Sequence, residues 1–146
     1  MKVREVMTHA VTAIDPEAMV VDAAKLMQKH DVGSIPVVDH TGVVGIVTDR
    51  DIVVRCIASG ADVGNTRVRE VMTADLTTVT PETDMNQVTE IMAGRQIRRL
   101  PVVEQNRLVG ILSLGDIATT QAKYQTEVAD TLTDISVPSR PENTEP

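Results

Sequence analysis

The sequence predicts an α/β fold of the mixed α+β kind, with two tandem β-α-β-β-α repeats packed about a pseudo-two-fold axis and two clefts between them. Three observations lead there. The stretch "VREVMT" at residues 3–8 returns at residues 68–73, and from there an offset of 65 residues holds without a gap, with about a third of the aligned positions identical. Two copies are too few for a solenoid, which needs about three, so the copies are expected to face each other. Within each copy, apolar spacing alternates between helical and extended periods. Finally, hydrophobic residues make up 42% of the 146 residues, yet there is no Phe or Trp and only Tyr124 is aromatic, so the core has to be aliphatic.

The first copy opens with a short helical turn at "VREVM", followed by a strand at "VTAI", residues 11–14. Asp15 and Pro16 then read as an N-cap and first helical position, with Thr80 and Pro81 as their repeat. The helix carries Val20, Ala23, Ala24 and Met27 on one face, and its counterpart carries Met85, Val88 and Met92. Those methionines read as core packing, not as ligands. Two brief strands follow, "IPVV" and "VVGIV", joined by "DHTG", with "LPVV", "EQNR" and "LVGIL" in the second copy. Another helix begins at "TDRD" in the first copy and at "SLGD" in the second. The copies span residues 1–58 and 68–120, with a glycine-rich linker at 59–67. A last helix is expected over 121–135, and a disordered tail of prolines, acids and polar residues over 136–146.

Charge and composition exclude several functions. A net charge of −7 and the lack of aromatic platforms oppose nucleic-acid binding. No stretch approaches the roughly 18 apolar residues of a membrane span, so no membrane role and a cytoplasmic location are expected. The lone Cys56 has no internal disulfide partner, which suits a reducing compartment. His9, His30 and His40 have no helical i, i+4 partner and no histidine counterpart in the other copy, so no metal site is expected.

The segment "TDRD" has three readings. Thr48 and Asp51 match the capping box [ST]-x-x-[DE], as do Ser113 and Asp116. A catalytic pair fits badly: Asp49 and Asp51 point different ways on a helix, and no histidine or third acid recurs. The third reading is ligand binding, since a helix start attracts phosphate and an acid in its first turn can accept hydrogen bonds from ribose hydroxyls. The apolar walls of "IPVV" and "VGIV" would then hold a base.

Taken in order and twice over, "MT", "PVV" followed by an acid, "G" with two aliphatics and a hydroxyl residue, and the following "DI" resemble a tandem pair of cystathionine β-synthase (CBS) domains, also called a Bateman module. The resemblance covers about residues 1–120, and the chain is similar to the free-standing bacterial pairs. It implies a non-catalytic module that senses an adenosine-containing ligand, leaving open AMP, ADP, ATP, S-adenosylmethionine, NAD-type and cyclic dinucleotides, with no obligatory cofactor. It also implies a homodimer and an effector protein of unidentified kind.

By position, the resemblance assigns ribose contacts to Asp51 and Asp116, hydroxyl partners to Thr48 and Ser113, and base-contacting backbone to Ile46 and Ile111. Each cleft is completed by the opening segment of the other copy: Thr73, Asp75 and Thr77 beside Asp51, and Thr8, Ala10 and Thr12 beside Asp116. Val32 and Gly33, or Ile97 and Arg98, lie before the central strands. Arg98 and Arg99 replace Gly33 and Ser34, with Arg95 close by, so one cleft edge is cationic; these arginines either balance a helix C-terminus on an acidic protein or contact phosphate. Asp75, where the other copy has Ala10, would disfavour an anion near Asp51, so the two clefts are expected to differ in affinity. An alternative reading is a structural or protein-interaction module whose clefts are vestigial.

Overall fold

The computed structural model describes residues 1–9 and 12–122. Each copy contributes one antiparallel strand pair and the helices that cover it. Helix α1 (Val20–His30) leads into β1 (Ser34–Asp39) and β2 (Gly42–Thr48), then into the short α2 (Asp49–Asp51), which continues as a π-wound segment over Ile52–Ile57. The second copy repeats this with α3 (Met85–Arg95), β3 (Arg99–Glu104) and β4 (Arg107–Ser113), followed by α4, helical from residue 114 to 122. The expected last helix and tail lie, from residue 123 on, outside the described residues, and so do Ala10 and Val11.

The strand pairs match residue for residue across the repeat. Val37 faces Gly45 and Val38 faces Val43, leaving one extra residue on β2; Val102 with Gly110 and Val103 with Leu108 repeat the bulge. The β3–β4 turn places Gln105 and Asn106 at φ of 51° and 64°, a left-handed pair that closes a two-residue hairpin. In the β1–β2 hairpin the turn is His40 and Thr41, and Gly42 takes φ 124° beside Asn106 of the other hairpin tip. The Asn106 side-chain amide donates to the Thr41 carbonyl, tying the two tips together. In the same turn the Thr41 hydroxyl, and then its N–H, hold the Asp39 carboxyl below the usual carboxylate range.

Two sequence expectations change here. Asp15 and Pro16 do not start α1, nor do Thr80 and Pro81 start α3: the helices begin four residues later, after Met19 and Asp84. The intervening turn is held from outside its own copy. The carbonyls of Pro16 and Ala18 accept the N–H groups of Arg69 (2.9 Å) and Val68 (2.8 Å), and those of Pro81 and Thr83 accept Arg4 (3.0 Å) and Val3 (2.9 Å). Carbonyls spent across the repeat are not free to begin a helix. The opening strands also shrink to single parallel bridges, Ile14 with Val37 and Val79 with Val102.

These crossings rearrange the core. Val68 and Val71, which open the second copy, are buried with Ile14, Val20, Met27, Ile35, Val37 and Val47 of the first. Val3 and Val6 are buried with Val88, Met92, Leu100, Val102 and Leu112 of the second. Each compact half therefore borrows its opening turn from the other repeat. Burying a valine fully is worth roughly 1.5–3 kcal/mol, so these four side chains hold the halves together as well as filling them. The turns are shaped locally by Glu5 and Glu70, whose carboxylates accept the N–H groups of Lys2 and Arg67 at 2.7 Å. Ion pairs of Glu17 with Arg67 and Arg69, and of Glu82 with Lys2 and Arg4, repeat the symmetry on the surface.

The linker also has a structural job. The carbonyls of Thr66 and Val63 accept the N–H groups of Val20 and Val21 at 2.8 and 3.0 Å, which caps α1 where no side chain does. Among the described residues no helix is long and apolar enough to cross a membrane.

Candidate functional site

The "TDRD" segment forms a reciprocal cap at the end of β2. Thr48 is extended, and its hydroxyl oxygen accepts the Asp51 N–H at 3.0 Å, while the Asp51 carboxylate accepts the Thr48 N–H at 3.0 Å. Asp51 is 7% exposed, and a buried carboxylate needs partners. It has two more: the Thr73 hydroxyl reaches Oδ2 at 3.5 Å, and Arg55 Nε lies 3.8 Å from Oδ1. Arg55 also donates to the carbonyls of Val71 and Met72, so it clamps the crossing segment onto the first copy.

In the second copy the Ser113 hydroxyl oxygen accepts the Asp116 N–H at 3.0 Å, and the Thr8 hydroxyl donates to Asp116 Oδ2 at 3.4 Å. Asp116 is half-buried, and the position matching Arg55 is Thr120. Among the described residues its carboxylate thus has fewer partners than that of Asp51 and more capacity for a ligand. The structure brings together Thr48, Asp51 and Thr73 at one helix start, and Ser113, Asp116 and Thr8 at the other.

The backbone of Ile46 and Ile111 is in a different state from that expected. The Ile46 N–H and carbonyl are bonded to Thr73 at 3.0 and 2.8 Å, and those of Ile111 to Thr8 at 3.0 and 2.9 Å. Each N–H is spent on the crossing segment, so a base edge would have to find its donor elsewhere. Gly45 and Gly110 make this approach possible. A Cβ at Gly45 would meet Met72 Sδ at 2.7 Å and the Thr73 carbonyl at 3.0 Å; one at Gly110 would meet the Thr8 carbonyl at 2.8 Å. Sequence reasoning used these glycines only to mark the repeat and the motif behind the resemblance, and it missed Arg55 altogether. Their recurrence at a fixed register was the available signal for the glycines, whereas Arg55 has no repeat counterpart to draw attention to it.

The remaining predicted residues differ in exposure and partners. Thr12 and Thr77 are half-buried, and Val32 is exposed. The Gly33 carbonyl accepts the Asp49 N–H at 2.9 Å and the Arg98 carbonyl accepts the Leu114 N–H at 2.8 Å, so each helix start already has one amide occupied. Arg98 and Arg99 are exposed and carry no ion pair among the described residues. Asp75 does not stand alone as a repelling charge, because Arg95 NH2 lies 3.5 Å from its carboxylate. Ile97, Arg98 and Leu114, with Met92 and Ala93, border an open groove of about 430 Å³. Among the described residues no group of three or more His, Cys, Asp or Glu side chains could hold a metal ion.

Comparison with known proteins adds a family. The model of the CBS domain matches residues 3–57 and 68–123. The chain is 43% identical over 134 residues to the CBS domain-containing protein YhcV of Bacillus subtilis, covering 92% of this chain and 94% of that one. Among solved structures it is similar to Hypoxic Response Protein I with two coordinated zinc ions (TM-score 0.75, 32% identity, covering 82% and 98% of the two chains). It is also similar to the CBS domain pair of protein MJ0100 in complex with 5-methylthioadenosine and S-adenosyl-L-methionine (TM-score 0.76, 26% identity, 85% and 98%).

Proposed function

The chain belongs to the CBS domain family, as a tandem pair, and we propose that it is a non-catalytic regulatory module that senses an adenosine-containing ligand in its inter-repeat clefts. One observation carries this reading. In each cleft a carboxylate at a helix start meets a hydroxyl from the other repeat, Asp51 with Thr73 and Asp116 with Thr8. A ligand whose ribose hydroxyls bonded that carboxylate would touch both halves at once. It would favour whichever relative pose of the halves suits it, as a sensor requires. The adenosyl compounds bound by MJ0100 support the ligand class.

The Asp116 cleft is the working one in this reading. Its carboxylate has the fewer protein partners, and Arg98 and Arg99 offer charge for phosphates, which favours AMP, ADP or ATP over S-adenosylmethionine. Thr8, Thr12, Ile97, Ser113 and Asp116 would line it. No cofactor is obligatory, the chain acts as a homodimer on an effector protein, and the single unpaired cysteine fits a cytoplasmic location. The test is isothermal titration of the purified chain with adenosine, AMP, ATP and S-adenosylmethionine, alongside analysis of any nucleotide that copurifies.

A second reading is favoured by the Asp51 cap. A carboxylate so fully engaged by Thr48, Thr73 and Arg55 serves as a structural tie, and a module whose clefts were both of this kind would bind proteins only. Absence of heat and of copurified nucleotide across the panel selects that reading.

A further inference from the structure

The tips of the two hairpins meet. Thr41 and Asn106 hold equivalent positions at the offset of 65 residues, so the bond from the Asn106 amide to the Thr41 carbonyl lies near the axis that relates the repeats. At this junction opens a hollow of about 480 Å³, walled by both copies. Gly42 and Arg107 start strands β2 and β4, whereas Thr48 and Ser113 finish them, so about 20 Å of strand separates the hollow from either helix start. It is a different place from the sites of Asp51 and Asp116.

The hollow carries both signs of charge. The first copy contributes the half-buried Asp39, and the second contributes the exposed Arg107, where the first has Gly42. Thr41 donates its N–H and its hydroxyl to Asp39 Oδ1 at 2.7 and 2.6 Å, which fixes the carboxylate in place and favours its charged form. Neither Asp39 nor Arg107 belongs to an ion pair among the described residues, although Glu104 stands opposite Arg107 in the strand register. Ala13, Val38 and Leu108 supply apolar lining. A simple anion drawn to Arg107 would also feel the Asp39 carboxylate, and a simple cation would meet the reverse. A molecule bearing both charges satisfies the pair.

We propose that this hollow binds a free α-amino acid with an aliphatic side chain, Asp39 holding its ammonium group, Arg107 its carboxylate, and Ala13, Val38 and Leu108 its side chain. The site needs both repeats, because the acid comes from one hairpin and the guanidinium from the other. A bound zwitterion would bridge the two tips and favour the pose of the halves that sets the charges at its own spacing. The module would then take a second input, separate from the adenosine compound and independent of it for its evidence.

The test is a titration of the full ¹⁵N-labelled chain, followed by amide chemical shifts, with three probes: L-leucine, leucinamide, which lacks the carboxylate, and 4-methylpentanoate, which lacks the ammonium group. Leucine should shift the amides of Thr41, Gly42, Asn106 and Arg107 saturably. Each truncated probe should bind at least about tenfold more weakly, the loss expected for one hydrogen bond to a charged group. Asp39→Asn and Arg107→Gln should each weaken leucine by a similar factor while leaving the rest of the spectrum in place, and Asp116→Asn should leave leucine binding unchanged. No saturable shift with leucine overturns the proposal. So does equal binding of 4-methylpentanoate, which would mean an anion held by Arg107 alone, or of leucinamide, which would mean a cation held by Asp39 alone. Shifts confined to the amides around Thr48 and Ser113 overturn it as well. None of these outcomes bears on the adenosine reading, which is judged at Asp116.

Discussion

The Thr8 hydroxyl donates to the Asp116 carboxylate across 3.4 Å, although the two residues are 108 apart in sequence. The opening turn of the first repeat reaches the helix start of the second, and Thr73 does the same for Asp51. Any molecule that competes for these carboxylates acts directly on the joint between the halves.

Replacing Asp116 by Asn keeps the shape and removes the charge. A hydrogen bond to a charged group contributes about 1.5–3 kcal/mol, which corresponds to a loss of roughly ten- to a hundredfold in affinity for an adenosine compound. Titration calorimetry on wild type and Asp116→Asn should show that loss. The same change at Asp51 should leave affinity within a few fold, because that carboxylate is engaged by the protein itself.

Stability should respond in the opposite order. Asp51→Ala removes a reciprocal cap and strands the Thr48 N–H, so it should lower unfolding free energy by about 1–2 kcal/mol. Asp116→Ala, where the amide cap comes from Ser113 and survives, should lower it by less. Urea denaturation of the two variants gives the comparison directly.

Gly110→Ala should destabilise by about 1–3 kcal/mol, since the new methyl group would sit 2.8 Å from the Thr8 carbonyl and backbone cannot swing away as a side chain does. Gly45→Ala should cost somewhat less, because there the backbone carbonyl, that of Thr73, stands at 3.0 Å and the nearer neighbour at 2.7 Å is the Met72 thioether, the far end of a flexible side chain. Thermal melts of both variants check the order.

Arg98→Gln with Arg99→Gln should separate phosphate from adenosine recognition. Affinity for ATP should fall and its salt dependence should flatten, while affinity for adenosine stays unchanged. An equal loss for both ligands would place the arginines in a structural role.

Much of this was legible in the sequence, and the exceptions share a cause. The capping box of Thr48 and Asp51 follows from a three-residue spacing, and the strand pairs follow from short aliphatic runs flanked by turn residues. The start of α1 could not be read, because Pro16 and Ala18 spend their carbonyls on Arg69 and Val68, some fifty residues away. The loss of the Ile46 N–H to Thr73 is hidden for the same reason: which strand edge is covered is a tertiary fact. The meeting of Thr8 with Asp116 came only through resemblance to a family, since nothing local in "VREVMT" points to residue 116. Nor does the composition of residues 52–57 explain why that segment winds as a π-helix while its counterpart in the second copy is α-helical.

Thermal unfolding of the wild-type chain and of Asp116→Asn, each with and without ATP, AMP, adenosine and S-adenosylmethionine, tests the central claim most directly. A ligand at about a hundred times its dissociation constant adds roughly 2.7 kcal/mol, a readily visible rise in Tm for a chain this size. The account predicts that at least one adenosine compound raises the Tm of the wild type and that Asp116→Asn cuts the rise to about half or less. A flat response from the wild type across all four compounds would contradict it, and would leave the paired carboxylates as ties between two halves of an interaction module.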